Sequence, residues 1–209
     1  ARFAWKPAPD HTLVVNLQHS EQPLTYRYDE LVPGYGQTQA SAVTANFEPQ
    51  KRGFAQFVHR YDAPLPFADR LEWQLGAQTI IDNRRSRDRG SETESREFNS
   101  DRLRGVLGSA AKRLTERHEI RYGFEFYNDR VRSARENRRL STNVTSVASP
   151  RFPDNAEQDS SALYLLSDWR PLERLDLVTG LRLNRFELAI PASGARAGVE
   201  LSDSALTGQ

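Results

Sequence analysis

The sequence contains no cysteine, no methionine and no run of the ~18 to 20 apolar residues that a membrane-crossing helix needs. The missing thiols remove disulfides and thiolate metal sites from consideration. They agree with a periplasmic or outer-membrane setting, an agreement that many cytosolic domains share. Charge of one sign is missing too: 29 basic residues stand against 28 acidic ones, for a net charge of +1. A nucleic-acid binder concentrates a basic excess on one face, so nucleic acid is not expected as a partner. The GxGxxG, P-loop, CxxC and HExxH motifs are absent, as are low-complexity tracts. No charged-then-apolar leader stands at Ala1, and Leu206-Thr207-Gly208-Gln209 reads as the middle of a loop, so the chain reads as a segment cut at both ends. With 37% hydrophobic and 27% charged residues and a mean hydropathy of −0.71, composition alone suggests a polar soluble protein. It does not exclude a barrel, whose strands need only every second residue to face lipid.

What the sequence does have is alternation. From His118 to Asp129, Ile120, Tyr122, Phe124 and Phe126 fall on one side, against Glu119, Arg121, Gly123 and Glu125. A helix would scatter these rings around its axis, whereas a strand gathers them on one face. Leu175 to Arg185 and Leu71 to Ile81 repeat the pattern. Weaker versions run over His11 to His19, Lys51 to Asp62, Asp101 to Arg113 and Ser160 to Trp169, and Ala1 to Trp5 looks like the tail of another.

The spacing of these strands carries more than any one of them. Short connectors at Lys6–Asp10, Ala63–Asp69, Thr115–Arg117 and Pro171–Arg174 alternate with long polar stretches near Ser20–Pro49, Asn83–Ser100, Arg130–Gln158 and from Ile190 onward. Short turns at one end and long loops at the other are the habit of outer-membrane barrels. Trp5, Phe67 and Trp169 sit at strand ends, where a headgroup-level girdle would place them, although rings capping a soluble core would give the same pattern. The expected fold is therefore all-β: part of one antiparallel transmembrane β-barrel spanning residues 1–209, with about eight long strands, short periplasmic turns and long extracellular loops.

Few residues invite chemistry. His11, His19, His59 and His118 lie far apart in the sequence and form no metal-ligand spacing. His19, at a loop entrance, could ligate haem iron, but ordinary polar strand-end roles account for all four. No nucleophile-with-base set falls on one strand face, so no enzyme, catalytic residue, cofactor site or metal site is expected. Two arginine groups stand out: Arg84, Arg85, Arg87 and Arg89, then Arg130, Arg132, Arg135, Arg138 and Arg139. Guanidinium pairs bidentately with carboxylate and phosphate, so Arg84, Arg85, Arg87, Arg132, Arg135, Arg138 and Arg139 are candidate ligand-loop residues for an anionic chelate. Contact with outer-membrane lipid, or plain solvation, is the competing role. Glu72, Gln74, Gln78, Arg102, Arg104, Glu119, Arg121, Glu125 and Arg182 are expected to face inward, as a polar barrel wall.

From Glu119 on, the sequence resembles a family. Arg121-Tyr122-Gly123-Phe124-Glu125-Phe126-Tyr127-Asn128-Asp129-Arg130-Val131 resembles the "yGxExyxDxv" strand of TonB-dependent outer-membrane receptors. Arg151-Phe152-Pro153-Asp154 is similar to their "RFPDG" segment, with Asn155 where glycine is usual. Ser161 to Arg170 resembles "ygxyaQDeW", and Leu177 to Leu183 resembles "lxGlRyd". The four matches stand in the family's order; the first half shares only the rhythm and the stretch Glu48-Pro49-Gln50-Lys51-Arg52.

The resemblance implies a bacterial outer-membrane barrel of about 22 strands with a plug. Such a receptor imports a scarce nutrient such as an iron chelate, siderophore or haem, driven by an inner-membrane energy-coupling protein. The haem, haemoglobin and siderophore branch is the nearest, although its "FRAP" and "NPNL" words are not in this sequence. The plug domain, the coupling box and the closing strands are expected to lie outside this chain. The competing readings are a small eight-stranded structural or adhesive outer-membrane barrel and a soluble β-sandwich binding module.

Overall fold

The computed structural model describes residues 1–193 and 197–208. Eleven strands and one helical turn follow in the order β1 (Arg2–Ala8), β2 (His11–Gln22), β3 (Thr25–Tyr26), α1 (Tyr28–Leu31), β4 (Ala42–Tyr61), β5 (Arg70–Asp88), β6 (Thr93–Thr115), β7 (His118–Arg139), β8 (Val144–Ala148), β9 (Ala156–Leu172), β10 (Leu175–Ile190) and β11 (Val199–Gly208). All eleven belong to one antiparallel sheet, whose main path runs β1-β2-β4-β5-β6-β7-β9-β10-β11. β3 pairs with β4 and β8 with β7, off that path. The chain is an all-β barrel wall, and β1 and β11 form its ends without pairing with each other.

At one end of the sheet three turns are tight, two-residue connections, one of them built from the turn formers Pro9-Asp10 and two from charged, solvated pairs. Ala8 pairs with His11 across Pro9-Asp10, Thr115 with His118 across Glu116-Arg117, and Leu172 with Leu175 across Glu173-Arg174. At the other end the strands run far beyond what a bilayer requires. A tilted strand crosses in about 9 to 11 residues, yet β6 has 23 and β7 has 22. The stretches Asn83–Ser100 and Arg130–Gln158, expected as loops, are thus largely strand. The β5–β6 hairpin turns only at Arg89–Glu92, where Gly90 takes a φ of +76° that a side chain would resist. The region after Ile190 also holds a strand, β11, which includes Leu206–Gly208; Gln209 lies outside the described residues.

Register fixes the two faces. Trp5, Leu13, His59, Trp73, Gly108, Phe124, Leu163, Leu183 and Leu206 stand in one continuous row across the sheet. This row climbs the strands: Leu13 is the third residue of β2, Trp73 the fourth of β5, Phe124 the seventh of β7 and Leu183 the ninth of β10. Such a slide is the stagger that tilted strands need to close a barrel. β4 slips register between Phe47 and Gln50, at Glu48-Pro49. Proline has no N–H for the ladder, so it sits at an irregularity.

Among the described residues the sheet has no second layer, and its side-chain burial shows this. The buried apolar residues are small or medium, among them Val14, Ala45, Val58, Ala110 and Ala162, while Trp5, Phe124, Leu163, Leu181 and Leu183 are exposed. A soluble sandwich would bury such groups between two sheets about 10 Å apart. Here they form an apolar band on one face of a single sheet, which is what a lipid-facing wall requires.

Candidate ligand-facing site

The face opposite the apolar band is polar and hydrogen-bonded from strand to strand. The Asn16 amide donates to Gln56 (2.8 Å), Gln56 to Gln74 (2.8 Å) and Gln74 to Glu72 (2.7 Å), crossing β2, β4 and β5. Arg52 donates to Gln78 (2.8 Å) and Gln18 (3.0 Å). Arg182 forks onto Glu125 through Nη1 (3.1 Å) and Nη2 (2.8 Å), joining β10 to β7. Glu72, Gln74, Gln78, Glu119, Arg121, Glu125 and Arg182 lie on this face, as their alternation predicts.

Arg102 and Arg104 do not. Arg102 stands opposite Thr79 and Arg130, and Arg104 opposite Ala77 and Asn128, all in line with the lipid-facing side. Leu103 and Leu107, opposite Gln78 and Gln74, take the inner positions instead. The expected phase of this strand inverts because, beyond the membrane, the outer face no longer has to be apolar.

At the long-hairpin end a loop folds back over the inner face. Ser133, on β7, receives the loop: its backbone N–H donates to Asp154 Oδ1 (2.9 Å), and its hydroxyl accepts from the Phe152 N–H (3.4 Å) and donates to Asn99 (2.6 Å). Arg151 clamps the buried Glu97 through Nε (2.7 Å) and Nη2 (3.2 Å). Beneath this loop lies a cavity of about 310 Å3, lined by Ile80, Asp82, Asn99, Asp101, Phe152 and Pro153 with other residues.

Beside the cavity Asp101 and Asp129 meet on the inner face. Neither Oδ1 reaches a donor, and both are shielded from water. Burial first, then the neighbouring Asp129 carboxyl, push Asp101 up to about 7. These two aspartates, with Asn99 and Ser133, were not among the candidates from the sequence. Alternation marks Asp129 as an inner residue but, with Arg102 and Arg104 expected inward, puts Asp101 on the other face; the β6–β7 register is what brings the two together.

The seven candidate arginines do not make one cluster. Arg84, Arg135 and Arg139 share the inner face, while Arg85, Arg87, Arg132 and Arg138 share the other. Arg84 is held by Asp82 (2.6 Å) and lies 4.8 Å over the Phe47 ring. Arg135 donates to Ser95 (2.9 Å) and Arg138 to Asn143 (2.8 Å). Arg85 pairs with Glu94 (2.9 Å), whose contact raises the guanidinium further above its usual value. Burial pushes Glu94 up, but Arg85, Arg96 and Arg138 together hold it below the usual carboxylate range. The inner row Arg84–Glu97–Arg135 is thus an almost balanced polar wall, in which Arg135 has no carboxylate partner among the described residues.

The histidines divide differently from their sequence spacing. His11 and His59 stack in parallel, with Nδ1 and Nε2 2.9 Å apart, on the lipid-facing side near the short turns. Trp73 donates to the same His59 (2.8 Å), and His118 meets Ser167 (2.9 Å) beside Trp169. His19 is exposed, next to Glu21. No group of three or more metal-ligating side chains occurs among the described residues. Rather, His11, His59, Trp73 and Trp169 form amphipathic rings at one edge of the apolar band, a girdle by position.

One continuous sheet, an apolar outer band, a polar inner wall and a loop folded over that wall define the class: a segment of a large transmembrane β-barrel with a polar lumen. Residues 3–208 match the family described as TonB dependent receptor-like, beta-barrel, and the chain belongs to that family. Its members are receptors and transporters of the bacterial outer membrane, not enzymes. Among solved structures the chain is similar to a copper transporter, OprC, at 14% identity and a TM-score of 0.76, covering 99% of this chain and 32% of that one. It is also similar to the unliganded ferric citrate transporter FecA, at 15% identity and a TM-score of 0.66, covering 97% of this chain and 31% of that one. The chain therefore spans about a third of the length of these transporters, and at such identities the likeness concerns the fold alone. No protein of curated function matches the sequence.

Proposed function

We propose that the chain is a wall section of an outer-membrane receptor that takes up an iron chelate, such as a siderophore complex or haem, by energy-coupled transport. The supporting observation is the loop Arg151–Asn155, folded inward over a polar lumen wall at the end where the ligand would arrive. In this reading residues 1–209 are part of one barrel domain. The plug, the closing strands and the segment that touches the inner-membrane coupling protein come from other parts of the full receptor. Arg135 and Arg139, on the inner face, are the ligand candidates of the original seven best placed for a chelate; Arg84 is already committed to Asp82.

Deleting the full gene and measuring uptake of radioactive iron from ferric citrate, a ferric siderophore and haemin tests the substrate. The expected result is loss of uptake from one of these sources, restored by the full-length gene and abolished by a protonophore. Unchanged iron uptake with loss of copper uptake would overturn the iron assignment while leaving the transport role standing.

A further inference from the structure

Four arginines gather where an outer-membrane wall meets its outer leaflet. On β7 the outward residues Ile120, Tyr122, Phe124 and Phe126 are apolar, and the outward positions that follow are Asn128, Arg130 and Arg132. On β6 the outward sequence passes from Val106 to Arg104, Arg102 and Ser100. The ten residues from His118 to Tyr127 suffice for a tilted crossing, so these basic groups begin where the hydrocarbon ends. All four arginines are exposed.

Their pairing is unfavourable without a further partner. Arg102 stands directly opposite Arg130, and Arg104 and Arg132 flank that pair across the same two strands. Like charges directly opposite in a sheet repel. The nearby carboxylate Glu157 is taken by Arg130 (2.7 Å) and Asn128 (2.7 Å), and Asp159 by Asn128 (2.6 Å). Among the described residues Arg102, Arg104 and Arg132 have no ion pair and no side-chain hydrogen bond. The group encloses a depression of about 120 Å3 lined by Ser100, Arg102, Arg104, Asn128, Arg130 and Arg132. Every side chain lining it can donate and none is a carboxylate, so it is built for an anion with several acceptor oxygens.

We propose that Arg102, Arg104, Arg130 and Arg132 form a site on the outer surface for the phosphorylated headgroup of an outer-leaflet glycolipid. The headgroup phosphate sits among the guanidinium groups and relieves their repulsion. The acyl chains lie down the apolar strip of Val106, Phe124, Phe126 and Leu163. The position of the site, on the lipid side and directly above that strip, favours a lipid phosphate over a soluble one. The proposal rests on the reading that this face contacts lipid.

The test uses the full-length receptor purified in mild detergent. Native mass spectrometry is run with added diphosphorylated lipid A, with its dephosphorylated form, and with inorganic phosphate as competitor. The unmodified receptor is expected to retain diphosphorylated lipid A. The triple variant Arg102→Gln, Arg104→Gln, Arg132→Gln should bind it about a hundredfold more weakly. The corresponding triple lysine variant should keep most of the binding, which separates lost charge from lost folding. Equal retention by the unmodified receptor and the glutamine variant would overturn the site. Retention of the dephosphorylated lipid as strongly as the phosphorylated one would overturn the phosphate role. Displacement by millimolar inorganic phosphate would assign the depression to a free anion and overturn the lipid. A fall in the quenching of receptor tryptophan fluorescence by brominated acyl chains when Trp5, Trp73 and Trp169 are all replaced by Phe checks the face assignment independently. Its absence would mean that the membrane-facing reading fails, not the arginine site alone.

Discussion

Phe124 and Arg121 are three positions apart on β7 and point to opposite faces of the sheet. That difference sets what each position tolerates. An arginine at Phe124 or Leu181 would put a cation in the middle of the apolar band, at a cost of about 2 to 4 kcal/mol near the bilayer midplane. Arg121→Ala removes an exposed ion pair with Glu119 and should cost less than about 1 kcal/mol. Folding of the full receptor into lipid vesicles, followed by denaturant titration, measures all three; equal effects would refute the assignment of faces. Glycine gives a second residue-scale case. A Cβ on Gly123 would stand 2.3 Å from the Gly108 carbonyl oxygen and 2.5 Å from the Tyr164 hydroxyl. Tyr164 fills the space above the glycine on the neighbouring strand, so there is no room for even one methyl group. Gly123→Ala should destabilise the folded barrel by about 1 to 3 kcal/mol in the same titration, whereas Gly76→Ala, with open space around it, should not.

At the scale of elements, the β6–β7 hairpin carries two environments on one pair of strands. Its lower half obeys the lipid rule and was legible from the sequence: Ile120, Tyr122, Phe124 and Phe126 could only be one face of a strand. Its upper half was not. Alternation there mixes arginine, glutamate and asparagine, so both faces are polar and period-two patterning loses its phase. This is why Asn83–Ser100 and Arg130–Gln158 read as loops and why Arg102 and Arg104 were assigned to the lumen. Only the pairing of each residue with its neighbour resolves them. The site suffered for the same reason, since Asp101 and Asp129 are unremarkable until the register places them side by side. The raised Asp101 carboxyl has a consequence for pH. Because Asp101 in the folded state holds its proton up to about 7, above the ordinary carboxyl range, the stability linked to that proton is complete at low pH. It is lost as pH rises through about 7. Amide hydrogen exchange in residues 97–103 and 127–133, corrected for intrinsic rates, should show more protection at about pH 5 than at about pH 8. Asp101→Asn, which cannot ionise, should remove most of that difference. Equal protection at both pH values in the unmodified receptor would rule out a raised Asp101 carboxyl.

At the scale of the molecule, the climbing register matters more than the count of strands. A row of paired residues begins at the third residue of β2 and reaches the ninth of β10, so the sheet is sheared in one sense throughout. Shear with tilt is what makes a wide barrel rather than a flat sheet, and it leaves the strands at each end ready to continue the same pattern. β1 and β11 each pair on one side only, and their outward residues Phe3, Trp5 and Leu206 are all exposed. Unpaired strand edges recruit other strands. Residues 1–209 produced alone in detergent should therefore self-associate through β1 and β11, giving a concentration-dependent mass by light scattering. Proline at Ala4 and at Ser204, each of which removes a backbone donor facing an open edge, should lower that association without unfolding the central strands β4 to β9. A monodisperse monomer at all concentrations would mean that the two ends find each other, and the sheet would then be a small closed barrel and not a wall section of a larger one.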